Sequence, residues 1–276
     1  MPNTSRRSNN RGKYSGSRKK GRRKVSRKRS KAPFFLAVAG SLLIGAVVAI
    51  WKYNPGNIVD QVAELLNVED AKSAVKVVHK KRVVLNVTLI NQMDDPKLYN
   101  GCEVTSLAMV LNYNGIDVTK SELADNIETV PFQYDNGEHG NPNDGFVGSV
   151  SGSDSPGLGV YHGPIYSLAK KYASNVYDLT GSNFDTVVNK VEEGHPVWTI
   201  TTTAFAPVSD FQSWDTPDGK IDVTYSEHSV CITGFDRDKR VIYINDPYGY
   251  KNREVDWNDF AAAYKQMGKQ AVYVTK

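Results

Sequence analysis

The sequence predicts an α+β domain over about residues 83–276, preceded by one transmembrane helix. Three observations lead there: an uncharged apolar run at residues 32–51, helical periodicity gathered in the first half of the remainder, and strand-like runs gathered in the second. Residues 1–31 come first and carry 14 Lys and Arg with no Asp or Glu, so net charge +4 hides a basic tail and an acidic body of 20 basic and 30 acidic side chains. Ser, Asn and Gly separate the charges, too few apolar residues remain to build a core, and the segment reads as a disordered arm. Such an arm can bind phosphate, but touching anionic lipid and setting topology is the stronger reading, and no nucleic-acid partner is expected.

Ala32 to Trp51 is long enough at about 1.5 Å per residue to cross a bilayer core of about 30 Å. A cleavable signal peptide competes, because Ala37-Val38-Ala39 resembles a cleavage triplet, but that triplet falls inside the apolar run. With the basic residues on its N-terminal side, the anchor should leave the N-terminus in the cytoplasm and export the body. Residues 52–82 read as a stalk: Asn54-Pro55-Gly56 breaks the helix, and Ile58, Val62, Leu65 and Leu66 recur at helical spacing. Its oligomeric state is not legible.

In the body, Val83 to Ile90 reads as a strand, and Cys102 opens a helix whose Val104, Leu107, Ala108 and Leu111 form an apolar face. Thr119-Lys120-Ser121-Glu122 is a capping box for a second helix to about Asn126. Residues 131–163, rich in Gly, Asn, Asp, Ser and Pro, are too long for a simple connector and suggest a functional loop. Helices follow at Pro164 to Tyr172 and Asn183 to Glu193, then strands at Val197 to Thr203, His228 to Phe235, Val241 to Asn245 and Ala271 to Val274, with a helix near Trp257 to Tyr264.

Cys102 is the chemically loaded residue. A thiol must ionise to attack, and a helix N-terminus with a nearby imidazole favours the thiolate. His228 starts a strand, and Asp246 leaves the next one before Pro247, where it could fix the imidazole tautomer; alone it would be a turn residue. A Cys102–Cys231 disulfide is the rival in an exported chain. If Cys102 meets the face of His228, however, Cys231 points away with Ser229, and a small buried apolar role suits it better. Glu103 and Glu227 flank these positions and receive no role. His79, His139, His162 and His195 lack zinc-site spacing, Asp135 to Asp144 lacks the EF-hand pattern, and Gly157-Leu158-Gly159 reads as a turn, so neither metal nor other cofactor is expected.

The blocks Gln92…Gly101-Cys102-Glu103-Val104-Thr105-Ser106-Leu107-Ala108-Met109, Asn143-Asp144-Gly145-Phe146, Gly194-His195-Pro196-Val197, Glu227-His228-Ser229-Val230 and Asn245-Asp246-Pro247 stand in a fixed order. Together they resemble the papain-like cysteine peptidases related to the bacteriocin-processing double-glycine leader peptidases. The resemblance implies a papain-like fold, a Cys102–His228–Asp246 triad, and Gln92 as an oxyanion donor beside the backbone N–H of Cys102. Where the processing peptidases have Cys-Gly-Pro, this chain has Cys102-Glu103-Val104. The expectation is a membrane-anchored peptidase of peptide or protein substrates on a Gram-positive surface. A wall stem-peptide hydrolase and a silent peptide-binding module using Trp198, Phe205, Trp214 and Tyr225 are the alternatives.

Overall fold

The computed structural model describes residues 79–276, and the expected basic tail, transmembrane helix and most of the stalk lie outside them. Among the described residues, no helix is long and apolar enough to cross a membrane.

The body is built on a seven-stranded antiparallel sheet. Strand β8 (Glu227–Asp236) runs through its middle, with β9 (Val241–Asp246) and the edge strand β10 (Tyr250–Asp256) on one side. On its other side, β5 (Val197–Thr202) pairs with its first half and β1 (Arg82–Val84) with its last three residues; β11 (Ala271–Val274) and β4 (Val176–Asp178) continue beyond β5. Every residue of β8 is buried, because both faces of the sheet are covered. Gly234 sits where β1 crosses: a side chain there would run into the carbonyl of Val83, and the pairing of β8 with β9 slips at the same point.

Helix α1 (Cys102–Tyr113) covers one face. Glu103 to Leu111 are all buried, so the helix is enclosed on every side rather than along the single stripe its sequence suggests. Its Leu107, Ala108 and Leu111 join Trp198, Ile200, Cys231 and the α3 (His162–Tyr172) residues Ile165 and Leu168 in one core cluster. The other face buries Val230, Ile232, Ile242 and Ile244 against α4 (Phe184–Glu192) and α5 (Trp257–Gln266), through Val187, Val188, Phe260 and Tyr264.

The capping box holds: Thr119 Oγ1 accepts the backbone N–H of Glu122 at 3.0 Å and starts α2 (Lys120–Asn126). Asn183 likewise caps α4 at the N–H of Thr186. The strand expected over residues 83–90 is shorter, since β1 ends at Val84 and an extended segment continues past a buried Val87. The long loop expected over residues 131–163 ends where α3 begins at His162 and contains β3 (Phe146–Val147), paired in parallel with β2 (Thr129–Val130). Four further strands went unread: β4, β10, and the hairpin of β6 (Gln212–Thr216) and β7 (Gly219–Val223).

Lys120 fixes the loop ahead of α1. Its buried ammonium donates to the carbonyls of Asn91, Gln92 and Asp94 at 2.9, 2.9 and 2.5 Å, adding to the loop's own bonds from Asp94 N–H to Asn91 and from Leu98 N–H to Gln92. Replacing Lys120 with Met removes all three donors while keeping most of the volume. The variant is expected to lose about 2–3 kcal/mol of unfolding free energy, read as a lower urea midpoint with an unchanged slope.

Candidate active site

α1 starts without a side-chain cap. Gly101 occupies the cap position because Leu98 lies against it, leaving 2.5 Å between an added Cβ and the Leu98 Cβ. The backbone N–H of Cys102 therefore meets no cap acceptor, and it remains free as a donor. The helix docks through Ser106 Oγ, which donates to the carbonyl of Ser229 at 3.1 Å, and through Trp198 Nε1, which donates to the carbonyl of Glu103 at 3.0 Å.

This docking corrects one expectation. α1 packs on the face of β8 that carries Ser229 and Cys231, whereas Val230 and Ile232 belong to the opposite cluster. The Cys102 end of α1 instead approaches β8 at Ser229, the residue after His228, whose backbone N–H favours the thiolate. Cys102 is partly exposed, Cys231 is fully buried, and both are free thiols. Burial pushes the Cys231 thiol far up, consistent with an inert core residue.

His228 stands opposite Thr201 of β5 and is 2 % exposed. Its Nε2 lies 3.0 Å from Asp246 Oδ1. Because an ionised carboxylate only accepts, Nε2 carries the hydrogen in the neutral ring and Nδ1 keeps a lone pair. The ring stacks on Tyr248 at 5.3 Å between centroids, with Phe205 at 6.0 Å. Asp246 ends β9 and also accepts from the Tyr248 N–H at 3.0 Å and from Arg253 Nη1 at 3.0 Å. Burial opposes its ionisation, yet His228, the Tyr248 amide and Arg253 together hold its carboxyl below the usual range. The Arg253 guanidinium lies between the rings of Phe205 and Tyr250, 4.6 and 5.1 Å from their centroids. These residues and Thr203 line a cleft of about 350 Å³; Cys102 is not among its lining residues.

The thiol is not the preformed anion that a helix start suggests. Burial raises Cys102 well above the usual thiol range, and the carboxyls of Glu103 and Glu227 add to that; the Ser229 N–H opposes them only in part. Gln92 is fully buried close by, but both hydrogens of its amide point into its own loop, at the carbonyls of Leu98 (3.0 Å) and Tyr99 (3.2 Å), and its Oε1 has no donor. Among the described residues, no group of three or more His, Cys, Asp or Glu side chains could hold a metal ion.

Residues 84–272 match the model of the Peptidase_C39 like family. The chain belongs to the C39-like peptidase family. Within reach of that assignment, the chain is 58 % identical over 193 residues to the uncharacterized protein YvpB of Bacillus subtilis (strain 168), covering 70 % of this chain and 76 % of the other. A crystal structure of a candidate C39-like peptidase from Bacillus anthracis superposes with TM-score 0.68 at 44 % identity, covering 71 % of this chain and 98 % of that one. A more distant likeness, at 12 % identity and TM-score 0.40 over 72 % of this chain and 87 % of the other, is to xylellain, a cysteine protease from Xylella fastidiosa. The family match and the Bacillus anthracis structure give the body a C39-like peptidase fold, which points to cysteine peptidase chemistry.

Sequence reasoning passed over Tyr248 and Arg253, placed Phe205 only in the binding-module alternative, and gave no role to Glu103 and Glu227. The signal for the last two was adjacency, since each glutamate directly neighbours Cys102 or His228.

Asp246 makes a pH prediction with a definite sign. A carboxyl held below its unfolded value of about 3.9 contributes stability that is present above that pH and is lost as pH falls through the lower folded value. Melting temperatures of the wild type should therefore fall from about pH 4 downward more steeply than those of Asp246→Asn, which has no charge to lose there.

Proposed function

We propose that this C39-like domain is an exported cysteine peptidase with Cys102 as nucleophile, His228 as base and acid, and Asp246 as the carboxylate that orients the imidazole. The reading is supported above all by the His228 Nε2–Asp246 contact of 3.0 Å, which leaves Nδ1 as the acceptor nitrogen, with α1 docked on the next residue of the same strand through Ser106 and the Ser229 carbonyl. Because the thiol is neutral at rest, it gives its proton to Nδ1 as the sulfur attacks the peptide carbonyl carbon. The C–S bond forms and the carbonyl π electrons move to oxygen, which the backbone N–H of Cys102 stabilises. The C–N bond then breaks as His228 returns the proton to the departing amine. Water, deprotonated by His228, attacks the thioester, the C–S bond breaks, and the sulfur recovers the proton.

Gln92 supplies the second oxyanion donor by releasing the carbonyl of Tyr99, the longer of its two contacts. In the same reading, residues 32–51 anchor the domain outside the cell, with the basic tail against the cytoplasmic lipid.

The full chain should cleave members of a peptide library, with every cleavage lost in Cys102→Ala. His228→Ala is expected to cost about 10²–10⁴-fold in rate and Gln92→Ala about 10²–10³-fold. A cleavage that survives Cys102→Ala would overturn the nucleophile assignment, and release of stem peptides from purified sacculi would redirect the substrate to the cell wall. Added protease should digest the body on intact cells while leaving the basic tail intact; the opposite pattern would refute export.

A further inference from the structure

Two carboxyls meet beneath the proposed nucleophile. Glu103 follows Cys102 in the first turn of α1, and Glu227 precedes His228 at the start of β8; the two side chains are 1 % and 9 % exposed, and both Oε1 atoms lie within 3.1 Å of where a Cβ on Gly159 would stand. Glu103 Oε1 accepts from the N–H of Val160 at 3.1 Å, and the Glu103 backbone N–H and the Cys102 thiol also favour its ionised form; Glu103 Oε2 and both Glu227 oxygens have no partner among the described residues. Among the described residues, no Lys, Arg or His forms an ion pair with either carboxyl. Gly159 closes the pair from above: a side chain there would strike Glu103 Oε1 and come within 3.1 Å of Glu227 Oε1.

Two ionised carboxylates in this dry site would repel each other with no counter-charge, a cost met by keeping a proton. We propose that Glu103 and Glu227 share a proton and are positioning residues, their carboxyl–carboxylate hydrogen bond tying the residue after the nucleophile to the residue before the base. This rests on the assignment of Cys102 and His228 made above. The titratable groups facing the pair are Cys102 on α1, Tyr161 ahead of α3, and Tyr248 after β9, with His228 next along β8; all but the imidazole are neutral or become anionic. Burial raises Glu103 to about 7 and Glu227 further, so the pair retains a proton at neutral pH. The remaining negative charge raises the thiol, which links the state of the pair to that of the sulfur.

Two readouts on the full chain test this. Infrared spectroscopy at pH about 7 should show the C=O stretch of a protonated carboxyl, lost in Glu227→Gln. Alkylation of Cys102 by iodoacetamide, mapped by mass spectrometry, should be about tenfold faster in Glu103→Gln, which keeps the hydrogen bond and removes the charge. It should be about tenfold slower in Glu227→Ala, which breaks the bond, and there His228→Ala should have no further effect. A protein with no such infrared band, or with equal alkylation rates in wild type and Glu103→Gln, would overturn the proposal, and both of these readings stand if Glu227→Ala does not fold. An infrared band that persists while His228→Ala leaves wild-type alkylation unchanged would refute the base assignment and spare the shared proton.

Discussion

The docking of α1 onto the Ser229 side of β8 is the constraint from which the rest of the site follows. One hydroxyl donating to one strand carbonyl, backed by Leu107, Ala108, Trp198, Ile200 and Cys231, sets the height of the helix against the sheet. Burial on this scale, at about 25 cal/mol per Å² of apolar surface, makes the helix position a property of the whole core. The open end of the helix then falls where β8 begins. The Cys102 end of α1 and the start of β8 are held at that junction because a core packed on both faces leaves the strand no freedom to slide.

Electrostatics at the junction is divided. On the β9 side, the His228 ring, an amide and a guanidinium converge on Asp246 and keep it charged. On the α1 side, carboxyls and burial surround Cys102 and keep it protonated. A carboxylate held anionic beside the imidazole and a thiol held neutral on the helix side put opposite electrostatic environments on the two flanks of the start of β8. Arg253 serves the first half twice, by bonding Asp246 and by stacking between Phe205 and Tyr250, which shields the carboxylate from water.

Much of this was legible in the chain. Elements with apolar repeats or explicit caps emerged near their true bounds: α1 from its leucines, α2 from Thr119 and Glu122, α4 from Asn183, β8 and β11 from their Val and Ile content. The unread strands are either two or three residues long, as β2, β3 and β4 are, or largely polar. β10 keeps only Val255 buried, and the β6–β7 hairpin presents Asp215, Lys220 and Asp222 to solvent; only Pro217-Asp218-Gly219 marked its turn. The proximity of His228 and Asp246 could be anticipated from consecutive strands, but the helix-bearing face could not, since alternation fixes two faces without saying which one a distant helix covers. Likewise Lys120 read as part of a capping box, and nothing local announced that its ammonium would gather three carbonyls from a loop about 28 residues earlier.

The arrangement of β8 has a mechanical side. His228 lies near one end of the strand, and β1 grips the other end through Arg82↔Asp236, Val83↔Phe235 and Val84↔Gly234. Just ahead of β1, His79 and the Lys80 amide clasp Glu192 of α4, and the Arg237 amide bonds the carbonyl of Lys81. Tension arriving along the chain from the N-terminal direction would therefore be borne first by this clasp and three register pairs, at the end of β8 remote from the imidazole. The core flanking Val230 and Ile232 lies between that end of β8 and His228, so a pull on the preceding chain is taken up before it reaches the imidazole.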